Sequence, residues 1–440
     1  MSRVDPTLRL LQRYESRNVT FIDPDGSWPI VWERAQGVHV WGDDGKKYLD
    51  LTAAFGVAAA GHANPRVIRA AQRQMARLLH GMGDVHPHAL KAKLARELSR
   101  ITFERWSKNA RVNRTTSSVF GKVIFGNSGF EAVEAALKTA MLATGKSRVI
   151  AFSGAYHGLG YGALTATHRQ HFRSPFRRQL REFAEFVDFP ETETDLRLVS
   201  EQIERICKRN SIGAVLVEPI QGRAGIRIPP AGFLPLLRKL CDEHGALLIF
   251  DEIFTGFGRT GKCFACEHSQ TTPDLICLGK ALTGGFPLSA CVGRADLMDT
   301  AWPAATGEAI HTSTFLGHPV GCAMALAQIA EFRSRKLAAR SERLGVHALG
   351  WLEEIASQHG SRARGSGLML GLELLTRAGQ ADSTRALRIV KKMLQSGFII
   401  LPEGEHANVI SFTPPLTITA GQLRLAIAAL ARLMRETAQA

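Results

Sequence analysis

An α/β fold, with a mostly parallel sheet flanked by helices and a smaller α+β part drawn from both chain ends, is predicted for this 440-residue chain by three observations. Apolar runs of strand length recur through its middle. Amphipathic stretches of helical length separate them, and each apolar run opens into a polar or glycine-rich turn. In chain order, "KVIFG" (122–126) reads as a buried strand and "GFEAVEAALKTAMLATG" (129–145) as the helix after it. "RVIAFSG" (148–154) is the next strand, and "DLRLVSEQIERICKRNS" (195–211) is a helix stopped by Asn210. "GAVLVEPI" (213–220) follows as a strand, then "PAGFLPLLRKLCDEHG" (230–245), a helix stopped by Gly245. "ALLIFDEI" (246–253) and "LICLGKAL" (275–282) complete the buried set. Upstream, "GVHVWGDDGKKYLDLTAAFG" (37–56) reads as a hairpin turning at "DDGK". Downstream, "CAMALAQIAEF" opens a helical stretch that leads to "GSGLMLGLELL", a further helix, "GFIILPEG" and "NVISFTPPL". The expected division is a large α/β domain over 66–325, with 1–65 and 326–440 forming the small one.

Hydrophobic residues make up 45% of the chain and charged residues 22%, the balance of a globular protein rather than a disordered or fibrous one. No stretch reaches the roughly 18 apolar residues of a membrane span. The first residues, "MSRVDPTLRLLQRYESR", lack an apolar signal core, so a cytoplasmic location is expected. A net charge of +15 invites a nucleic-acid reading, and "HRQHFRSPFRRQLREF" (168–183) is the densest basic run. Arginine is nevertheless spread over the whole chain without a recognition-helix or zinc-finger pattern, which favours an arginine-rich surface with some anion-binding loops. Seven scattered cysteines point to reduced thiols. Cys263 and Cys266 have half-site spacing near His268 but no second pair, so no metal is expected.

Three strand ends carry chemistry. In "FGNSGFEAVEAAL" a strand ends at the turn Asn127-Ser128-Gly129, and Ser128 and Glu131 have capping-box spacing. Such a helix start presents free N–H groups and the positive dipole end to an anion, although an ordinary capped helix has the same pattern. Asp251 ends the run "ALLIF" and there requires a cationic partner. Lys280 follows "DLICLG" and precedes glycines, a setting in which burial disfavours the ammonium form. Such turns lie at the carboxyl ends of strands, where open α/β sheets bind ligands. A phosphate-binding helix start, a buried acid and a buried lysine together meet the needs of pyridoxal 5'-phosphate: a Schiff-base amine, a partner for the ring nitrogen and an anion cradle.

The ordered motifs "NSGFEAVEAALK", "AYHG", "VEPIQG", "FDEIFTGFGRTG", "GKALTGGFPLSA" and "HTSTFLGHP" resemble those of the class III (ornithine and γ-aminobutyrate type) aminotransferases, pyridoxal phosphate enzymes of fold type I. The likeness runs from about Trp41 to "PPL". It implies a seven-stranded, mostly parallel sheet and a ping-pong transfer of an amino group from an amine or amino acid, including an ω-amino acid, to a 2-oxo acid. Lys280 would carry the internal aldimine and shuttle the proton, Asp251 would face the ring nitrogen, and Tyr156 would stack on the ring. Ser128 and Gly129 would hold the phosphate. His157 would set shape, and Ile253 would line the cofactor. Glu218 is similar to an acid near the cofactor, and a strand-end acid satisfied by backbone groups is an equal reading. Thr314 resembles a threonine that reaches the neighbouring subunit's phosphate, which implies a homodimer with shared active sites. Relatives that racemise or epimerise amino acids share these motifs, so that activity is the alternative.

The match breaks at three places that bear on substrate. Arg223 stands where ω-amino-acid relatives carry a glutamate, and Ser411 where its arginine partner is expected. Serine cannot reproduce a bidentate carboxylate clamp, so either Arg223 receives the carboxylate from another direction or it meets solvent or a local acid. Phe254 replaces a glutamine that touches the cofactor's phenolic oxygen, and Phe130 replaces a threonine after the phosphate turn; both make the entrance less polar. Arg173 and Arg177 lie in a segment that resembles one at the family's active-site mouth, where they would either meet an anionic substrate or remain solvated.

Overall fold

The computed structural model describes residues 5–24, 27–109 and 120–438. Its central sheet has seven strands: β1 (Gly121–Gly126), β2 (Arg148–Phe152), β3 (Ala184–Val187), β4 (Ile212–Val217), β5 (Leu247–Asp251), β6 (Leu275–Leu278) and β7 (Ser289–Arg294). Their spatial order is β1-β7-β6-β5-β4-β2-β3. β7 is antiparallel to both neighbours, and the other pairs are parallel. The strands read from the sequence as continuous apolar runs are those covered on both faces: β4 and β6 are buried at every position. The sequence reading did not single out β3, an edge strand whose alternating acid and apolar residues leave it half-exposed, or β7, which is built mainly from small residues.

Helix Gly129–Thr144 ends as its sequence requires, with Gly145 in the left-handed region at φ 68° and its N–H bonded to the Met141 carbonyl. Its inward face is mostly alanine. Ala132, Ala136 and Ala140 share a core with Ala214, Ile249 and Cys277, and these small side chains let the helix lie close to the strand ends. Helices Asp195–Arg209 and Phe233–His244 also form, the second closed by Gly245 at φ 59°.

Both chain ends build the smaller part. The expected hairpin pairs His39–Gly42 with Lys47–Asp50. Trp32–Gln36 adds on one side and Phe398–Ile399, parallel, on the other. A second sheet has the order Arg362–Ser366, Met369–Glu373, Val409–Phe412, Leu401–Glu403. Helix Pro319–Ser334 runs unbroken through residues 325 and 326, so the boundary expected there cuts an element. Arg259, 1% exposed, fastens the large part to the small one: its Nη1 donates to the Leu368 carbonyl at 3.0 Å and the Pro414 carbonyl at 2.6 Å. All seven cysteines are unpaired. Among the described residues, no helix is long and apolar enough to cross a membrane.

Candidate active site

Six strands end on one edge of the sheet, and the turns after five of them, β1, β2, β4, β5 and β6, bring most of the sequence-predicted residues together. A cavity of about 400 Å³ is lined by Gly129, Tyr156, His157, Glu218, Arg223, Asp251, Ile253, Phe254 and Lys280, with Phe130 and Leu159 beside them. Lys280 follows β6 in a strained backbone, at φ 41°. Burial lowers its pKa, while Asp251, Glu218 and Glu403 act in the opposite direction. Its Nζ lies 4.0 Å from the centroid of the Phe254 ring. That ring is wedged against Gly56 and Gly222, where an added Cβ would lie 2.6 and 2.3 Å from it. Glycine at both positions lets an aromatic residue form the wall beside the amine.

Asp251, 5% exposed, finds its partner in His157, whose Nδ1 is 2.8 Å from Oδ2. A carboxylate only accepts, so Nδ1 carries the proton, and the buried Nε2 has no partner. The backbone N–H of Ile253 donates to Oδ1 at 3.1 Å. His157 therefore fixes the acid's orientation, a more definite task than setting shape. Glu218 accepts from the N–H groups of Tyr156 at 2.9 Å and Gly222 at 3.1 Å. Burial pushes its carboxyl pKa up to about 7. It is thus both satisfied by the backbone and placed in the cavity wall.

The capping box does not form. Glu131 Oε2 instead accepts from the Asn127 N–H at 2.7 Å and Asn127 Nδ2 at 3.3 Å. Ser128 Oγ caps nothing and is buried without a partner at the start of helix Gly129–Thr144. An unpartnered hydroxyl beside free helix N–H groups is a ready anion cradle. A Cβ at Gly129 would come within 3.1 Å of Ile253, so the cradle is closely walled. The donor set fits pyridoxal phosphate: a cradle for its phosphate, an oriented acid for its ring nitrogen and an amine for its aldehyde.

Two predicted residues lie elsewhere. Thr314 is exposed and does not line the cavity. Ser411 is buried within strand Val409–Phe412, paired with Gly371 and Leu401. Arg173 and Arg177 do not reach the site and both face Glu182, Arg173 at 2.6 Å and Arg177 at 3.8 Å; Arg173 is moreover buried rather than solvated. The reading of this segment missed Arg169, which lies within electrostatic reach of Arg223, Glu403 and Tyr156.

Glu403 was also missed. It is 6% exposed, and its Oε2 lies 3.7 Å from Arg223 Nε. The backbone pins the pair together, since Gly404 N–H donates to the Arg223 carbonyl at 3.1 Å. Arg223 Nε has no hydrogen bond, and the guanidinium sits 5.5 Å from the centroid of Tyr156. The signal in the sequence was an acid two residues beyond the apolar "FIIL", in a strand whose neighbour across the molecule is invisible from the chain alone.

Behind the cavity wall, Glu252 is fully buried and accepts from Thr255 Oγ1 at 2.5 Å and from the N–H groups of Ala265 at 2.9 Å and Cys266 at 2.8 Å. Burial raises its pKa to about 7 from 4.5. The folded state then holds more protons than the unfolded one between these values, so this group's contribution to stability falls as pH rises through that window. The stability of Glu252→Gln relative to the parent is expected to increase from pH 4.5 to about 7 and then level off, read from denaturant midpoints across pH. A flat difference would assign Glu252 an ordinary pKa.

Comparison with known proteins agrees with this geometry. The family model "Aminotransferase class-III" matches residues 22–434. The chain is 37% identical over 408 residues to an acetylornithine aminotransferase of Methanopyrus kandleri, covering 93% of this chain and 95% of the relative. It is 34% identical over 420 residues to that of Methanosarcina acetivorans, covering 95% of each. Among solved structures, an ornithine aminotransferase from Toxoplasma gondii has a TM-score of 0.83 at 28% identity, covering 98% of this chain and 95% of that one. A PLP-bound amine transaminase from an uncultivated Pseudomonas species has a TM-score of 0.86 at 27% identity, covering 96% and 98%. The chain belongs to the class-III aminotransferase family. It is a pyridoxal phosphate-dependent aminotransferase that works on amino and 2-oxo acid substrates, which takes the transfer branch of the two activities the motifs left open.

Proposed function

We propose that Arg223 receives the carboxylate of the 2-oxo acid, and of any amino acid used as donor, in competition with Glu403. The observation that carries this is the 3.7 Å ion pair between them: too long for a hydrogen bond, it leaves Arg223 Nε without a partner at the cavity wall. A substrate carboxylate that engages the guanidinium through two parallel hydrogen bonds replaces a looser contact with a stronger one. The names of the curated relatives support an ω-amino acid of the acetylornithine type as donor. With serine at 411 and that residue buried in its strand, Arg223 is the cation left to meet the acid end.

When bound, pyridoxal phosphate supplies an electron-accepting ring that stabilises the charge left on a substrate carbon as its proton departs. Lys280 takes that proton and returns it, and burial keeps a larger fraction of its amine neutral for the task. Asp251, oriented by His157, holds the ring nitrogen protonated. Ser128 and the helix start hold the phosphate, Tyr156 and Ile253 confine the ring, and Phe254 excludes water beside the lysine.

Steady-state kinetics with one oxo acid and two donors, an amino acid and an amine without a carboxylate, tests the role of Arg223. Arg223→Ala is expected to raise KM for the oxo acid about 10- to 100-fold, the loss of a charged hydrogen-bonded pair, with a smaller change in kcat. Its half reaction with the simple amine should be nearly unchanged. Glu403→Gln should lower KM for the oxo acid by removing the competitor. Unchanged KM in both variants would transfer the role to Arg169.

We further propose a homodimer in the cytoplasm. Support for the dimer comes from Thr314, exposed on its own chain, and from an apolar patch beside it. His80 and Phe315 are in ring contact at 5.2 Å, and Met82, Ile310 and Phe315 are each more than half exposed. Seven unpaired cysteines support a reducing compartment. Light scattering should return twice the chain mass of 48.0 kDa.

A further inference from the structure

A second cavity, of about 450 Å³, lies away from the strand ends and shares no lining residue with the first. Its apolar side is made by Ile101, Phe257, Ile329 and Phe332. Phe257 and Phe332 are stacked, with centroids 5.8 Å apart and planes inclined by 22°. Phe257 is held there by a left-handed backbone, φ 55°, only six residues after Asp251.

Five cations converge on this cavity from three helices and one connecting turn: Arg100, Arg105, Lys108, Arg333 and Lys336. Two carboxylates pair with them. Glu97 serves both Arg100 and Arg333, and Glu267 holds Arg105. Of the neighbouring acids, Glu342 pairs with Lys262 and Glu331 with Arg66 and Arg335, while Glu104, which accepts from Ser99, also acts on Arg100. Among the described residues, Lys108 and Lys336 have no ion-pair partner, and both are exposed at the rim.

We propose that this cavity binds a small aromatic anion, with its flat apolar body on the Phe257 and Phe332 side and its carboxylate, sulfonate or phosphate head between Lys108 and Lys336. Apolar walls alone would accept any hydrophobe. The two unpaired ammonium groups at the mouth, Lys108 and Lys336, select an anionic one, and low-dielectric walls strengthen that selection. Phe257 also belongs to the segment that carries Asp251, Ile253 and Phe254 to the active site, so the ligand would rest on the back of the catalytic loop.

The probe is 1-anilinonaphthalene-8-sulfonate, titrated by fluorescence into the enzyme loaded with pyridoxal phosphate. N-phenyl-1-naphthylamine, the same ring system without the sulfonate, is the control. The double variant K108E/K336E changes two exposed side chains outside the catalytic cavity and should leave transamination unchanged. We expect saturable sulfonate binding at one site per chain, weakened at least tenfold in the double variant, with the neutral probe affected less than twofold. Ala339→Trp, which fills the cavity, should remove both probes. No saturable binding, sulfonate binding untouched by the double variant, or equal loss of both probes would overturn the proposal.

Discussion

Lys280→Ala is expected to lower the rate of amino transfer by at least about 10³-fold, the upper range for loss of a positioned acid-base group, because the same substitution also removes the nucleophile. Glu218 and His157 also line the cavity, but neither supplies an amine to replace the nucleophile. Arg223 is the other strong base there, and its guanidinium keeps its proton at neutral pH. Lys280→Arg should therefore be as inactive as the alanine variant. Two measurements separate chemistry from folding. Circular dichroism of the variant should match the parent, and added methylamine should restore part of the rate by supplying a mobile base. A variant that kept a tenth of the parent rate would place the proton carrier elsewhere.

Asp251→Ala is the second large effect, with kcat expected to fall about 10²- to 10³-fold, as for other electrostatic groups that face developing charge. The substitution also leaves His157 buried with neither ring nitrogen paired, so cofactor retention should weaken together with turnover. Asp251→Asn keeps an acceptor for Nδ1–H but loses the charge. It should hold the imidazole in place and bind cofactor nearly as well while turning over almost as slowly as the alanine variant. Equilibrium dialysis of the cofactor beside steady-state rates distinguishes the two. His157→Phe should cost less than either, since it acts through Asp251 and not on the reacting atoms.

The residues legible in the sequence were those whose chemistry conflicts with their surroundings. Asp251 at the end of "ALLIF" and Lys280 after "DLICLG" are charged groups that an apolar strand cannot keep without a task, and both line the cavity. β4, β5 and β6 were read for a related reason: strands covered on both faces have no polar residues to obscure the pattern. The unread residues depend on contacts that no local pattern encodes. Glu403 is 180 positions from Arg223, and their pairing requires a small-sheet strand to dock on the turn after β4. Ser128 and Glu131 have the spacing of a mutual cap, yet the carboxylate serves Asn127 and leaves the hydroxyl free. In the basic segment, Arg173 and Arg177 were singled out and Arg169 was not, and it is Glu182 that turns both candidates away.

Arg259 gives the molecule a clasp. Its guanidinium, drawn down to a pKa of about 9 by burial, still carries its charge at neutral pH. Pulling the small part away at this point would strip the ion of both carbonyl partners, at a cost of about 1.5–3 kcal/mol for each charged hydrogen bond lost. At the turn after β4, the contact between Arg223 and Glu403 is an ion pair of 3.7 Å and one backbone hydrogen bond of 3.1 Å, while Arg364 donates to the Gly225 carbonyl at 2.7 Å and the Ile226 carbonyl at 2.9 Å nearby. Glu403 is therefore a loose contact in a seam otherwise held by guanidinium-to-carbonyl hydrogen bonds. On the proposed role of Arg223, a substrate carboxylate has to displace that contact alone, without parting the two portions of the molecule.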